Sequence, residues 1–361
     1  MTRRELFLLP GGSSMLAQVL GLSEPQNLSF PLEGIEASLT PTELFFVRDH
    51  FSEPELSLST WRLKIEGRVR RPVELSLADI LESPTKELEA VLECAGNPAG
   101  GSAASNALWQ GVPLAHLLDQ AGVGSDSVAV LLEGADRGRL MHAFPALPYC
   151  QMVPVEKCLR PESLLAFKLN GRFLPRQNGF PARALFPGWY GMDSVKWLER
   201  IVVLGPSDRA PDFQSSGMNR VYNRMAKSAT GELKVTRLTE IQVRSAVAWP
   251  ADNTRLPVGR YQIRGFAWTG SGRIRGVGFS ADGGQTWIPA QLESRAKPFA
   301  WIRWKFMWSA TPGEHTLMSR ATDDAGHEQP LNRDPMRTDA YELNFCAPVR
   351  CSVRRNANAL R

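Results

Sequence analysis

The chain is 361 residues long, 43% hydrophobic and 22% charged, the composition of an ordinary globular protein with more length than one hydrophobic core usually organises. These figures exclude a disordered or fibrous chain and predict two domains. The formal charge of +5 comes from Lys and Arg scattered along the sequence, which argues against a nucleic-acid partner and for a local pocket that takes an anionic ligand.

Residues 1–25 open with Arg3-Arg4 ahead of the apolar stretch LFLLPGGSSMLAQVLGL. This resembles a twin-arginine export signal, which predicts a periplasmic protein. The alternative is a basic start followed by a short amphipathic helix in a cytoplasmic protein. No stretch reaches the roughly 20 apolar residues of a membrane span. In LTPTELFFVRDHFSEP, from Leu39 to Pro54, an apolar trio delivers Arg48, Asp49 and His50 in a row. Such a triplet is either a solvated turn or, if held behind the apolar residues, a site for a bound anion. Trp61 to Leu81 alternates as strands around Gly67 and ends in a short helix with Ser76 as its N-cap.

Val91 to Gly101, VLECAGNPAGG, is a buried strand end that delivers Cys94 into a run of small residues. The small residues let backbone approach a bulky ligand. A buried structural thiol followed by a turn is the competing reading. The leucines of LAHLLDQAG recur at helical spacing, with Gly122 as C-cap. Val128 to Gly134 is a continuous apolar strand with Asp136 just past its exit. Leu164 to Leu204, rich in Gly and Pro yet apolar, predicts irregular backbone held against a large ligand, with Arg183 and Lys196 turned inward; a Pro-rich surface loop is the alternative, disfavoured by the apolar residues that flank each cation. Residues 206–242 are polar and poorly patterned and form the linker.

From Val243 the pattern changes to short alternating strands, including AYELNF near the C-terminus and a hairpin at Asp282-Gly283-Gly284. These predict an immunoglobulin-like sandwich over residues 243–355, with its Trp and Phe residues serving as core. The five cysteines, Cys94, Cys150, Cys158, Cys346 and Cys351, form no CxxC pair and no zinc spacing. Cys150 and Cys158 are close enough to meet across a loop. Cys346 and Cys351 would point to opposite faces of one predicted strand and so not pair.

Taken together, LTPTELFFVRDH, LECAGN, NGFPARALFPGWYGMDSVKWL and the C-terminal GFAWTG, FSADGGQTW and RATDDAGHEQP resemble, in the correct order, the sulfite oxidase family of molybdenum enzymes. The resemblance implies an α+β fold: a mixed α/β molybdopterin-binding domain over residues 26–205, followed by the sandwich as a homodimerisation domain. It implies molybdopterin and molybdenum as cofactors, with Cys94 as the single protein thiolate on the metal. Arg48, Asp49, His50, Asp136, Asn178, Arg183, Ser194 and Lys196 fall where the family grips the pterin and its phosphate, although Asp49 and Asn178 stand where Asn and His are commoner. Tyr222 in MNRVYNRM matches the family's active-site tyrosine, with a plain linker tyrosine as the alternative, and Arg48 is the candidate anion-orienting group. The implied activity is oxidation of sulfite or a related sulfur compound by oxygen-atom transfer, with electrons passing to an external acceptor such as a c-type cytochrome.

The loop after Asn97 departs from the family pattern: Pro98-Ala-Gly-Gly-Ser replaces the usual arginines. The family's late substrate arginine is also replaced near Ala347-Pro348, with Arg350 close by. These losses keep open a sulfane-sulfur dehydrogenase or a sulfoxide reductase on the same scaffold. A non-catalytic assembly module is the remaining alternative, disfavoured by the thiol and the pocket cations.

Overall fold

In the computed structural model, the residues described are 7–8, 25–139, 146–208 and 222–355. Strands dominate throughout. Among the described residues the α-helices are Leu77–Glu82, Leu114–Ala121 and Val155–Cys158, so the first domain is far richer in strand than the predicted α/β mixture. Its Val/Ile/Leu-rich segments favour extended backbone and pair across two sheets.

One sheet runs in the order Arg172–Phe173, Leu164–Leu169, Ala104–Pro113, Lys86–Glu93, with Arg183–Leu185 also paired to Leu164–Leu169. The other runs Val73–Leu75, Leu63–Gly67, Leu198–Leu204, Ala129–Gly138, Leu147–Pro154. Only Leu63–Gly67 and Leu198–Leu204 are parallel within it. Leu165 and Phe167 of the first sheet and Leu63, Leu132 and Ile201 of the second share a single core. Leu114–Ala121 lays Leu114, Leu117, Leu118 and Ala121 on that core, the i, i+3, i+4, i+7 stripe of an amphipathic helix. Burying each leucine contributes about 1.5–3 kcal/mol. Gly122 ends the helix at φ +71°, a left-handed value that favours glycine.

The C-terminal region forms two further sheets. Arg244–Trp249, Gly259–Trp268, Ile302–Ala310 and Gln291–Leu292 make one; Thr254–Pro257, Val349–Arg354, Gly313–Asp323, Ile274–Ser280 and Ile288–Pro289 make the other. Ile263 and Trp304 of the first meet Phe279 and Leu317 of the second in a shared core. The hairpin at Asp282 forms as expected, with Gly283 and Gly284 both at positive φ. A separate apolar cluster joins the two halves of the molecule, bringing Val91, Ala104 and Tyr190 against Phe266, Trp268 and Trp301.

Four expectations need correction or refinement. Asp136 does not follow the strand but lies within Ala129–Gly138, where the register shifts between Glu133 and Arg137. The irregularity turns the Asp136 carboxylate inward, a common use of a β-bulge. AYELNF is not a strand, because its backbone is engaged elsewhere: the Glu342 N–H donates to the Ala95 carbonyl at 2.8 Å. The segment 206–242 carries a hairpin of Asn223–Lys227 and Leu233–Arg237. None of the five cysteines is in a disulfide, and Cys150 and Cys158 are both buried in the first core. The twin-arginine pair lies outside the described residues, although Phe7–Leu8 pairs with Asn27–Ser29. Among the described residues no helix is long and apolar enough to cross a membrane.

Ser76 caps Leu77–Glu82 through a reciprocal box in which its hydroxyl accepts the Asp79 N–H and its own N–H donates to the Asp79 carboxylate. Ser76→Ala should therefore cost about 1 kcal/mol of stability, read as a lowered urea midpoint at unchanged slope.

Candidate active site

A cavity of about 460 Å³ opens where the two halves meet. Its floor is set by the strand Lys86–Glu93, which ends one residue before Cys94. The Cys94 N–H donates to the Ala103 carbonyl and the Cys94 carbonyl accepts from the Asn97 N–H, both at 2.9 Å, so a tight loop fixes the backbone and leaves the sulfur facing the cavity. Burial pushes the Cys94 thiol up from its ordinary pKa, opposed by a backbone hydrogen bond from Gly96 and by the charge of Arg48. Among the described residues no three His, Cys, Asp or Glu side chains cluster as a metal site, and Cys94 brings the one thiol among those lining the cavity.

Seven of the eight residues predicted to grip a cofactor line this cavity: Arg48, His50, Asp136, Asn178, Arg183, Ser194 and Lys196. Asp49 stands behind it, fully buried and paired with the Lys196 ammonium, which also donates to the Gln177 carbonyl at 2.9 Å. The FFV trio is buried, so the solvated-turn reading of the triplet fails, although Arg48 itself is exposed at the cavity and donates to the Asp49 carbonyl. Arg183 is held over the Trp109 ring at 5.6 Å and donates to the carbonyls of Asn178 at 3.0 Å and Ser194 at 2.7 Å. Burial lowers its pKa to about 10, against the opposing charge of Asp49. The Ser194 hydroxyl accepts the Phe186 N–H at 3.1 Å and keeps its own proton to donate.

Tyr222 lies at the cavity, not in a remote linker. Its hydroxyl is 3.1 Å from His50 Nδ1. Burial, helped by the neighbouring Arg48 charge, lowers the His50 pKa to about 4, so the ring is neutral at pH 7. Burial likewise raises the Tyr222 phenol above its ordinary value. Arg350, in contrast, sits on Val349–Arg354 and pairs with Asp252 at 2.5 Å on the exposed surface, away from the cavity lining.

Several wall residues carried no functional signal in the sequence. Tyr149 belongs to Leu147–Pro154 and donates to the Met192 carbonyl at 2.9 Å. Tyr341 arrives from the segment misread as a strand, with its ring centroid 5.6 Å from that of Tyr222. Nothing local in the sequence marks Tyr341 for the cavity.

The cavity wall is short of hydrogen-bond partners. Asp136 Oδ1, Asn178 Oδ1 and Arg183 Nε are all buried and unpartnered. Two acceptors and one donor, with the Cys94 sulfur and the cations around them, suit a large ligand that carries ring N–H groups, acceptor atoms and negative charge. A metal-bearing pterin with a phosphate has that chemistry, so the residues present fit such a group.

Comparisons with known proteins agree. The family profile "Oxidoreductase molybdopterin binding domain" matches residues 50–210, and "Mo-co oxidoreductase dimerisation domain" matches residues 235–338. Sulfite oxidase of Gallus gallus is 33% identical over 87% of this chain and 73% of its own length. Mitochondrial sulfite oxidase of Rattus norvegicus is 32% identical over 85% of this chain and 60% of its own, so the chain spans under two thirds of that relative. The sulfane dehydrogenase SoxCD from Paracoccus pantotrophus superposes with a TM-score of 0.79 at 27% identity, covering 94% of this chain and 90% of its own.

Burial raises the Asp136 pKa to about 7 in the ligand-free protein, opposed by Lys196. The folded state therefore holds a proton that the unfolded chain releases near pH 4, and stability is lost as pH rises between about 4 and 7. Asp136→Asn removes this loss. Relative to wild type, the cofactor-free variant should gain stability steadily from pH 5 to pH 7, measured by urea unfolding at each pH; a pH-independent difference would contradict the assignment.

Proposed function

Because this chain belongs to the sulfite oxidase family of molybdopterin-dependent oxidoreductases, we propose that it oxidises sulfite or a closely related sulfur compound and passes the electrons to an external acceptor such as a c-type cytochrome. The observation that carries this reading is the lone cavity thiol of Cys94 facing a wall of unpartnered buried polar atoms. When bound, the molybdenum cofactor supplies two-electron oxygen-atom transfer, chemistry that no side chain provides.

The residues divide the remaining work. Cys94 gives a soft thiolate donor, deprotonated once it is coordinated. Asp136 and Asn178 accept, and Arg183, Lys196 and Ser194 donate, to the pterin and its phosphate. Asp49 holds Lys196 in place by their ion pair. His50 both borders the cofactor space and holds the Tyr222 hydroxyl. Arg48 draws and orients an anionic substrate, being the exposed cation of the cavity while Arg183 is buried and Lys196 is paired with Asp49. Converting sulfite to sulfate takes one oxygen atom from water and releases two protons and two electrons. The Tyr222 hydroxyl, hydrogen-bonded to a neutral His50, is placed to hold or relay one of those protons.

A second reading on the same scaffold is supported by the wall itself. Phe46, Leu92, Pro98, Met192 and Tyr341 make it largely apolar, which suits sulfane sulfur or a sulfoxide better than a small dianion. We further propose residues 26–205 as the cofactor domain, 206–242 as the linker and 243–355 as an immunoglobulin-like homodimerisation domain, supported by its two facing sheets and the matched dimerisation profile. Residues 1–25 would then direct twin-arginine export to the periplasm, which mass spectrometry of the native N-terminus tests.

The deciding assay is sulfite-dependent reduction of ferricyanide or cytochrome c by protein of measured molybdenum content. Rapid turnover is expected, with Cys94→Ser inactive and Tyr222→Phe slowed about 10²- to 10⁴-fold if its proton is used. Molybdenum-loaded protein that ignores sulfite but turns over dimethyl sulfoxide or methionine sulfoxide would move the assignment to the second reading.

A further inference from the structure

The carboxylate of Glu93 comes one residue before Cys94 and reaches away from the cavity, into the junction with the C-terminal sheets. There it meets Arg244 and Trp268, which are paired opposite each other on the strands Arg244–Trp249 and Gly259–Trp268. Arg244 Nη1 donates to Oε1 at 2.6 Å and Trp268 Nε1 donates to Oε2 at 2.7 Å. Asn97 Nδ2 also donates to Oε1, at 3.0 Å. Arg244 Nη2 donates to the Asn97 carbonyl at 3.4 Å and to the Leu343 carbonyl. Asn97 then closes the loop by accepting the Ala103 N–H at 3.0 Å, packed so tightly that a Cβ on Gly101 would stand 2.1 Å from Asn97 Oδ1. From outside, the Glu342 N–H holds the Ala95 carbonyl at 2.8 Å and the Gly191 N–H holds the Glu93 carbonyl at 2.7 Å.

Both members of the Glu93–Arg244 pair are only 2% exposed. An ion pair so buried is a poor source of stability, because the desolvation of two charges offsets their attraction and an apolar pair of like volume does as well or better. An apolar pair would lack direction. Glu93 and Arg244 both hydrogen-bond Asn97 in the loop that carries the Cys94 sulfur, while Trp268 and the Leu343 carbonyl anchor them to the C-terminal half. We propose that Glu93 and Arg244 are positioning residues for Cys94, through which the C-terminal sheets set where the sulfur stands in the cavity. The consequence for catalysis rests on Cys94 being the metal donor; the effect on the loop does not.

The test uses the full chain, both cofactor-free and as holoenzyme, comparing wild type with Trp268→Phe, Glu93→Gln, and the double variant Glu93→Leu with Arg244→Met, and with Cys94→Ser as control. Among the described cysteines Cys94 is partly exposed and the other four are buried, so iodoacetamide applied to cofactor-free native protein reports on the loop. Its rate at Cys94, assigned by peptide mass, should rise about tenfold in each variant as the loop opens more readily. In the holoenzyme at matched molybdenum content, the thiolate-to-metal charge-transfer absorption should shift and kcat should fall about 10- to 100-fold with KM little changed, as a misplaced reacting group predicts. The double apolar variant should keep a melting temperature near wild type.

Unchanged alkylation together with an unchanged absorption band in folded Trp268→Phe and Glu93→Gln would overturn the proposal. So would a lowered melting temperature with both readouts at wild-type values, which marks a purely structural pair. If the double variant does not fold, Trp268→Phe, which removes one donor and little volume, decides by the same two readouts. A charge-transfer band that survives Cys94→Ser overturns the metal-donor reading instead, and the alkylation rates then decide the positioning role alone.

Discussion

Alternation at the end of one β-strand organises this molecule. Lys86–Glu93 is buried through its last four residues, and where it stops, two successive side chains face opposite ways. Glu93 turns to a buried guanidinium and an indole from the C-terminal sheets, and Cys94 turns to the cavity. A shift of one residue in this strand's pairing with Ala104–Pro113 would exchange the two, placing the carboxylate in the cavity and the thiol against Arg244. Register is therefore the constraint on which both the site and the junction between the sheets depend.

The cavity itself is a region of unmet electrostatic need. Asp136, Asn178 and Arg183 each keep a buried polar atom without a partner, and Lys196, Arg183 and His50 all have their charged forms disfavoured by burial. A protein that only had to fold would gain by replacing such groups with apolar ones. Their concentration on one wall, opposite a single thiol, is the signature of a surface completed by a large polar ligand.

The cavity is assembled from parts far apart in the chain. Arg48 and His50 lie on the first dense segment, Cys94 on a loop, Asp136 in a bulge, Arg183 on the short strand Arg183–Leu185, Ser194 and Lys196 in the irregular backbone after it, and Tyr222 and Tyr341 beyond the first two sheets. Rigid sheets on either side hold these irregular pieces, and the apolar contact of Val91 and Tyr190 with Trp268 and Trp301 seals the junction. The arrangement separates tasks: the sheets supply stability, and the loops between them supply chemistry.

Much of this was written in local patterns. The Ser76 cap, the Leu114–Ala121 stripe with its terminal glycine and the Asp282 hairpin each depend on residues within one or two turns of each other, so the sequence alone determines them. The Cys94 loop and the inward cations were also legible, because apolar flanks around a thiol or a charge announce burial. The sequence did not reveal the bulge that turns Asp136 inward, the path that brings Tyr341 to the cavity, the contact of Tyr222 with His50, or the ion pair of Glu93 with Arg244, 151 residues apart. Those depend on which surfaces meet after folding, and a contact between distant residues leaves no periodicity in the chain. Tertiary structure alone decided them, because the energy of a buried charge or an unpaired carboxylate is fixed by its neighbours in space rather than its neighbours in sequence.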